Sequence, residues 1–176
     1  MNILLTNDDG IHAPGLKIAR EIANSIAGKG GKVIIVAPAS EQSGVAHSIS
    51  YVRPSLIEKI EKNTYSVEGT PADCVLAGIG YVMNGKKPDL IISGINRGQN
   101  IAEDVLYSGT IGAAMEGAIH GVKSIALSQS YSKKSVKSID LFDSAMKYAV
   151  KVCKKLLLDD PFLEKYFNGF YNINFP

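Results

Sequence analysis

Two adjacent carboxylates, Asp8 and Asp9, stand directly after a short apolar run, Asn2–Thr6. Held close together, such acids repel by roughly 3 to 4 kcal/mol at an effective dielectric near 20, a cost that a bound divalent cation would reverse. An isolated Asp-Asp-Gly is often no more than a solvated loop or a helix cap, so its place after a buried strand is what draws attention to it. Three further polar clusters follow apolar runs in the same way: Ala39–Gly44, Gly94–Gly98, and Gln129 with Ser130. They offer carboxylates, amides and hydroxyls, with no cysteine pair and no His-x-x-x-His, a set that suits magnesium, manganese or calcium and disfavours zinc. Ser108, Gly109 and Thr110 open a small-residue helix. Backbone amides and two hydroxyls could hold a phosphate there at the positive end of the dipole, although the same residues make an ordinary cap.

The remaining candidates are weaker. His12 could donate a proton to a leaving group or simply bond a loop carbonyl; His47 is a similar case, and His120 sits where a helix ends. Arg97 is the one obvious cation in the clusters. No Gly-x-x-x-x-Gly-Lys-Ser/Thr occurs, and no Gly-x-Gly-x-x-Gly follows the first strand, so triphosphate hydrolysis and dinucleotide redox chemistry lose their usual support.

These clusters need a frame that brings them together. Asn2–Thr6, Lys32–Ala37, Asp89–Ser93 and Ser124–Ser128 are nearly continuous apolar runs, the pattern of parallel strands covered on both faces. Leu16, Ala19, Ile22, Ala23 and Ile26 recur at helical spacing between the first two, and a helix from about Thr110 to His120 separates the last two. Thr70 is a plausible cap, with Pro71 at the first helical position. Ser50–Glu68 alternates around Glu61-Lys62-Asn63-Thr64 and predicts an antiparallel hairpin at the sheet edge. A stripe from Ile139 through Phe142, Ala145, Met146, Ala149, Val152 and Cys153 to Leu156 predicts a long amphipathic helix, and Phe170–Phe175 a last strand. Alternating strands and helices mean an α/β fold, and ligands of open α/β sheets lie outside the carboxyl ends of the strands. At least three of the polar loops should therefore face one site.

The 176 residues, 45% of them hydrophobic, suit one domain with a sizeable core. A net charge of +2 without like-charge runs gives no footprint for nucleic acid or a membrane surface. No stretch is apolar enough to span a bilayer, and the first residues lack the basic leader and long apolar run of a signal peptide. Two distant cysteines, Cys74 and Cys153, read as core-filling thiols of a reducing compartment, and a cytoplasmic location is expected.

Several motifs in order resemble one family: Leu4–Gly15 (LLTNDDGIHAPG), Val36–Pro38 with Gln42–Gly44, Gly69–Cys74 (GTPADC), Ser93–Gly98 (SGINRG), and Asp104–Thr110 (DVLYSGT) with Ala113–Gly117 (AAMEG). Together they are similar to the stationary-phase survival protein E phosphatases, which are acid-phosphatase-like 5′-nucleotidases. The resemblance spans essentially the whole chain. It implies a Rossmann-like three-layer fold, mainly parallel with an attached β-hairpin, and metal-dependent hydrolysis of nucleoside monophosphates. Further substrates would be 3′-nucleotides or short polyphosphate. It places metal ligands on Asp8, Asp9, Ser43 and Asn96 for one Mg²⁺ or Mn²⁺ per subunit, with Asp8 and Asp9 as the catalytic acids. It sets Asn7, Asn100, Ser108, Gly109 and Thr110 near the phosphate. Ala39-Ser40-Glu41 departs from the Asp-Arg of many relatives. Relatives also continue beyond the strand that Phe170–Pro176 resembles, into a segment that helps form a homodimer or homotetramer, so residues 1–176 would be a single phosphatase domain without it. The rival readings are a metal-dependent nucleotide-binding regulatory module without turnover and, more distantly, a nucleotide-sugar glycosyltransferase.

Overall fold

The computed structural model describes residues 1–131, 141–159 and 169–176. Seven strands form one sheet: β1 (Asn2–Thr6), β2 (Lys32–Pro38), β3 (Ile57–Glu61), β4 (Thr64–Val67), β5 (Leu90–Arg97), β6 (Ser124–Gln129) and β7 (Phe170–Phe175). Their spatial order is β3-β4-β2-β1-β5-β6-β7. Every neighbouring pair is parallel except the β3–β4 hairpin, which occupies one edge. The expected hairpin is present, but its first strand begins at Ile57 rather than near Ser50.

The helices are α1 (Pro14–Ala27), α2 (Pro71–Ala77), α3 (Asp104–Tyr107), α4 (Gly109–Ile119) and α5 (Asp143–Asp159), with a π-helical turn at Gly78–Val82 following α2. Period-two alternation along the strands decides the layers. Ile3, Leu5, Leu90, Ile92, Ile125 and Leu127 face α1 and α5 in one apolar cluster. Leu4, Ile34, Val36 and Ile91 point the other way and pack with Cys74 and Val75 of α2 and Ala113 of α4. Each large apolar side chain buried in this way contributes about 1.5 to 3 kcal/mol. Ala145, Ala149 and Cys153, at spacings of four, form the buried stripe of α5, whereas Met146 is 53% exposed. Ile139, where the sequence would start this helix, lies outside the described residues. Cys74 and Cys153 are both free and buried, and burial pushes the Cys153 thiol up to about 12, consistent with packing roles.

Thr70 caps α2 in a full capping box, its hydroxyl accepting from the Asp73 amide while the Asp73 carboxylate accepts from the Thr70 amide. Pro71 takes the first helical position, where a missing N–H costs nothing.

β1 is followed by a crossover to β2 on one side, while β5 lies on its other side. Connections leaving in opposite directions open a crevice at the carboxyl end of β1, next to β5. Asp8 and Asp9 stand at that point.

Candidate functional site

An open cleft of about 1180 Å³ lies at these strand ends. Asp8, Asp9, Ser43, Asn96, Asn100 and Ser108 line it, together with Glu41, Arg97, Tyr107 and Tyr131. Loops after β1 and β2, the end of β5 and the start of α4 thus converge, as the placement of polar clusters predicts.

Asp8 is 5% exposed and sits against the N-terminus of α4. The Thr110 hydroxyl donates to its Oδ1 at 2.6 Å and the Thr110 amide to its Oδ2 at 3.1 Å. Gly109 makes this approach possible: a Cβ there would lie 2.9 Å from the Asp8 Cβ and 3.0 Å from Cγ of Pro71. Burial nevertheless dominates and, with the neighbouring Asp9 charge, lifts the Asp8 carboxyl from 3.8 to about 6 against the Thr110 hydrogen bonds. Asp9 is also raised, chiefly by burial, while the Arg97 amide donating to its Oδ2 at 3.2 Å works the other way and the Glu41 charge adds to the rise.

β5 runs further than the sequence suggests. Gly94 to Arg97 reads as a loop, yet the strand continues to Arg97, with a register shift against β6 between Ser93 and Asn96. The Gly94–Ile95 peptide bond is cis. This irregular stretch carries Asn96 and the Arg97 amide to the acid pair. Nδ2 of Asn96 donates to the Gly98 carbonyl, leaving the amide oxygen as the side chain's acceptor. Ser43 donates to Oε1 of Glu41 at 2.7 Å, so its own lone pairs stay available. The β2 loop is tied to the acid loop by the Gln42 amide, which donates to the Asp8 carbonyl at 2.7 Å.

The other residues singled out from the sequence take supporting places. Asn7 is fully buried and donates to the Gly10 carbonyl; with Gly109 and Thr110 it lies outside the cleft lining, behind or beneath the acids. Ser108 caps α4 by accepting from the Ile111 amide, the ordinary role that the sequence left open. Asn100 is stitched to the sheet: its Nδ2 donates to Ser128, its amide to Asn174, and its carbonyl accepts from Asn172 and Asn174. The two β7 asparagines escape notice in the sequence, although their spacing of two puts them on one face of the strand. His12 is exposed and outside the cleft lining. The Arg97 guanidinium lies over the Tyr131 ring, 5.6 Å from its centroid.

Among the described residues, no three acids, histidines or cysteines gather closely enough to hold a metal by themselves. A cation here would need hydroxyl and amide oxygens beside the two carboxylates, and Ser43 and Asn96 offer them. A buried and a half-buried carboxyl, both with raised affinity for protons, in an all-oxygen setting, fit a hard divalent ion.

A doubly wound, mainly parallel sheet with an acid pair at its switch point defines a Rossmann-like α/β protein with an oxygen-donor site. The family described as survival protein SurE matches residues 3–176. Among curated proteins, the "5′-nucleotidase SurE" of Ruegeria pomeroyi is 49% identical over 176 residues, covering all of this chain and 68% of that protein. The protein of the same name from Jannaschia sp. is 51% identical over 177 residues, covering all of this chain and 67% of its own length. The crystal structure of the SurE protein from Aquifex aeolicus superposes with a TM-score of 0.84 at 38% identity, spanning the whole chain and 67% of that structure. The chain belongs to the SurE family.

Proposed function

We propose that the chain is a divalent-metal-dependent phosphomonoesterase that hydrolyses nucleoside 5′-monophosphates to nucleoside and phosphate. Nucleoside 3′-monophosphates and short polyphosphate are further candidate substrates. Relatives named 5′-nucleotidase at about half identity over the whole chain support the reaction class. The observation that carries the reading is the acid pair: Asp8, buried and lifted to about 6, stands beside Asp9 on the wall of an open polar cleft. Carboxylates kept at such a cost suit a site that binds a cation.

Asp8, Asp9, Ser43 and Asn96 would hold Mg²⁺ or Mn²⁺. When bound, the ion supplies positive charge to a phosphate oxygen and acidifies nearby water. Asp9, half-buried and open to the cleft, orients the attacking water and receives its proton as the oxygen approaches phosphorus in line. Asp8 is pinned by Thr110 and serves as the fixed anchor. Asn100 and Ser108 line the cleft where phosphate oxygens would lie, and the α4 dipole favours negative charge at this end. No histidine lines the cleft among the described residues, so the leaving oxygen takes its proton from solvent rather than from His12. The reading extends to a homodimer or homotetramer where the relatives' further segment is present, for which the family resemblance is the support, and to the cytoplasm, for which the free, buried Cys74 and Cys153 are the support. Among the described residues no helix is long and apolar enough to cross a membrane.

The test is phosphate release from a panel of nucleoside monophosphates and p-nitrophenyl phosphate, with Mg²⁺, Mn²⁺ or chelator, for the chain and its Asp9→Asn variant. Metal-dependent release that disappears in the variant supports the reading. Nucleotide binding by folded, metal-loaded protein with no release would refute it and point to a non-hydrolysing nucleotide-binding module.

A further inference from the structure

The mechanism leaves a buried acid of α4 unused. Glu116, on α4, is 4% exposed and lies two helical turns from Thr110. Its Oε2 is 2.6 Å from Nε2 of His47, and its Oε1 is 3.0 Å from Nε2 of His120. An ionised carboxylate only accepts, so each imidazole presents an Nε2–H to it. A carboxylate removed from water costs much unless it is paired, and these two donors supply the pairing.

The two histidines differ in what they carry. His120 is the C-cap of α4 itself, so its bond stays within one helix. His47 belongs to the connection between β2 and β3, only four residues beyond Ser43. The same stretch is seated on α4 at two more points. The Ala46 amide donates to the Tyr107 carbonyl at 2.9 Å, just before the helix. Gly112 leaves room for the loop backbone, since a Cβ there would lie 2.4 Å from the Ala46 carbonyl oxygen. Helix α4 therefore grips both sides of the cleft, Asp8 through Thr110 at its first turn and the Ser43 loop through Glu116 at its last.

We propose that Glu116 and His47 form a clasp that holds the Ser43 loop on α4 and so keeps Ser43 in register with Asp8. Both are positioning residues. Their effect falls on how well the cleft binds a divalent ion and a phosphate, not on the reaction of a loaded site. The inference rests on the metal reading given above for the consequence at Ser43, and on geometry alone for the clasp.

Two readouts separate these parts. The first is hydrogen exchange at the Ala46 amide; the second is Mn²⁺ affinity by calorimetry, with no substrate present. For His47→Ala, exchange at Ala46 should speed up about tenfold or more, and Mn²⁺ affinity should fall about 10- to 100-fold, the range for lost outer-shell partners of metal sites. At saturating Mn²⁺ and substrate, kcat should stay near the parent value. His47→Gln, which keeps an N–H donor, should recover most of the affinity. His120→Ala, which removes the other donor to the same carboxylate, should leave both readouts near wild type. Unchanged exchange and affinity in His47→Ala would overturn the proposal, as would equal losses in His47→Ala and His120→Ala, or no recovery in His47→Gln. If the unaltered protein binds no Mn²⁺, the metal reading fails and takes the consequence at Ser43 with it. Exchange at Ala46 still decides whether the clasp exists.

Discussion

Ionised Asp8 should weaken the metal-free fold, and by an amount that can be worked out. Burial and the adjacent Asp9 move its carboxyl from 3.8 to about 6. At 1.36 kcal/mol per pH unit, holding that group ionised in the native state costs about 3 kcal/mol at neutral pH. The sign follows from the folded value lying above the unfolded one. Stability from the protonated acid is fully present below 3.8, where both states bind the proton, and it is lost as pH rises through about 6. Urea unfolding in the presence of chelator, run from about pH 4 to about pH 7.5 on the wild type and on Asp8→Asn, isolates this acid together with its coupling to Asp9, because groups that do not interact with Asp8 cancel in the difference. Over that range the wild type should lose about 2.5 kcal/mol relative to the variant. A difference that stays flat, or moves the other way, would show that Asp8 ionises without penalty. The acid pair would then no longer call for a cation.

Two other perturbations test the supports of the site. Thr110→Val keeps the shape but deletes the hydroxyl that donates to Asp8 at 2.6 Å; chemical denaturation near neutral pH should show a loss of about 1.5 to 3 kcal/mol, shrinking as the pH falls through about 6 and the carboxyl takes up a proton. Asp73→Ala removes the capping box of α2 and the acceptor for both the amide and the hydroxyl of Ser50. Thermal unfolding should report a loss of about 2 kcal/mol near neutral pH. Burial would raise the Asp73 carboxyl, but the bonds from Ser50 and Thr70 outweigh it and hold it below 3.8. Its contribution is thus present above that value, and the gap between wild type and variant should close as the pH falls below it.

The layers of this fold can be read from the sequence because burial on both faces leaves a direct mark. The runs at Asn2–Thr6 and Ser124–Ser128 each match a central strand to within a residue. What escapes is anything decided by register or by a distant neighbour. Gly94 signals a loop by propensity, but pairing with β6 keeps β5 extended to Arg97, with the irregularity absorbed between Ser93 and Asn96. The start of α4 is legible as an anion-holding feature; that its hydroxyl and amide grip Asp8 depends on a contact across 102 residues, which no local pattern encodes. The same limit hides the union of Asn100 with Asn172 and Asn174 and the pairing of His47 with Glu116.

Sequence separation has a further consequence for how the site comes into being. Asp8 meets Thr110 across 102 residues, and Asp9 meets the Arg97 amide across 88. Closing a chain loop of that length costs roughly 4 kcal/mol in entropy, which only the assembled sheet can offset. At roughly 5 to 20 residues per second, Asp8 leaves the ribosome about 5 to 20 seconds before Thr110. Throughout that interval the two acids are ordinary solvated carboxylates. Their altered proton affinity arises only when the assembled sheet and its loops bury them, so the loop after β1 is synthesised ahead of its partners and completed after them.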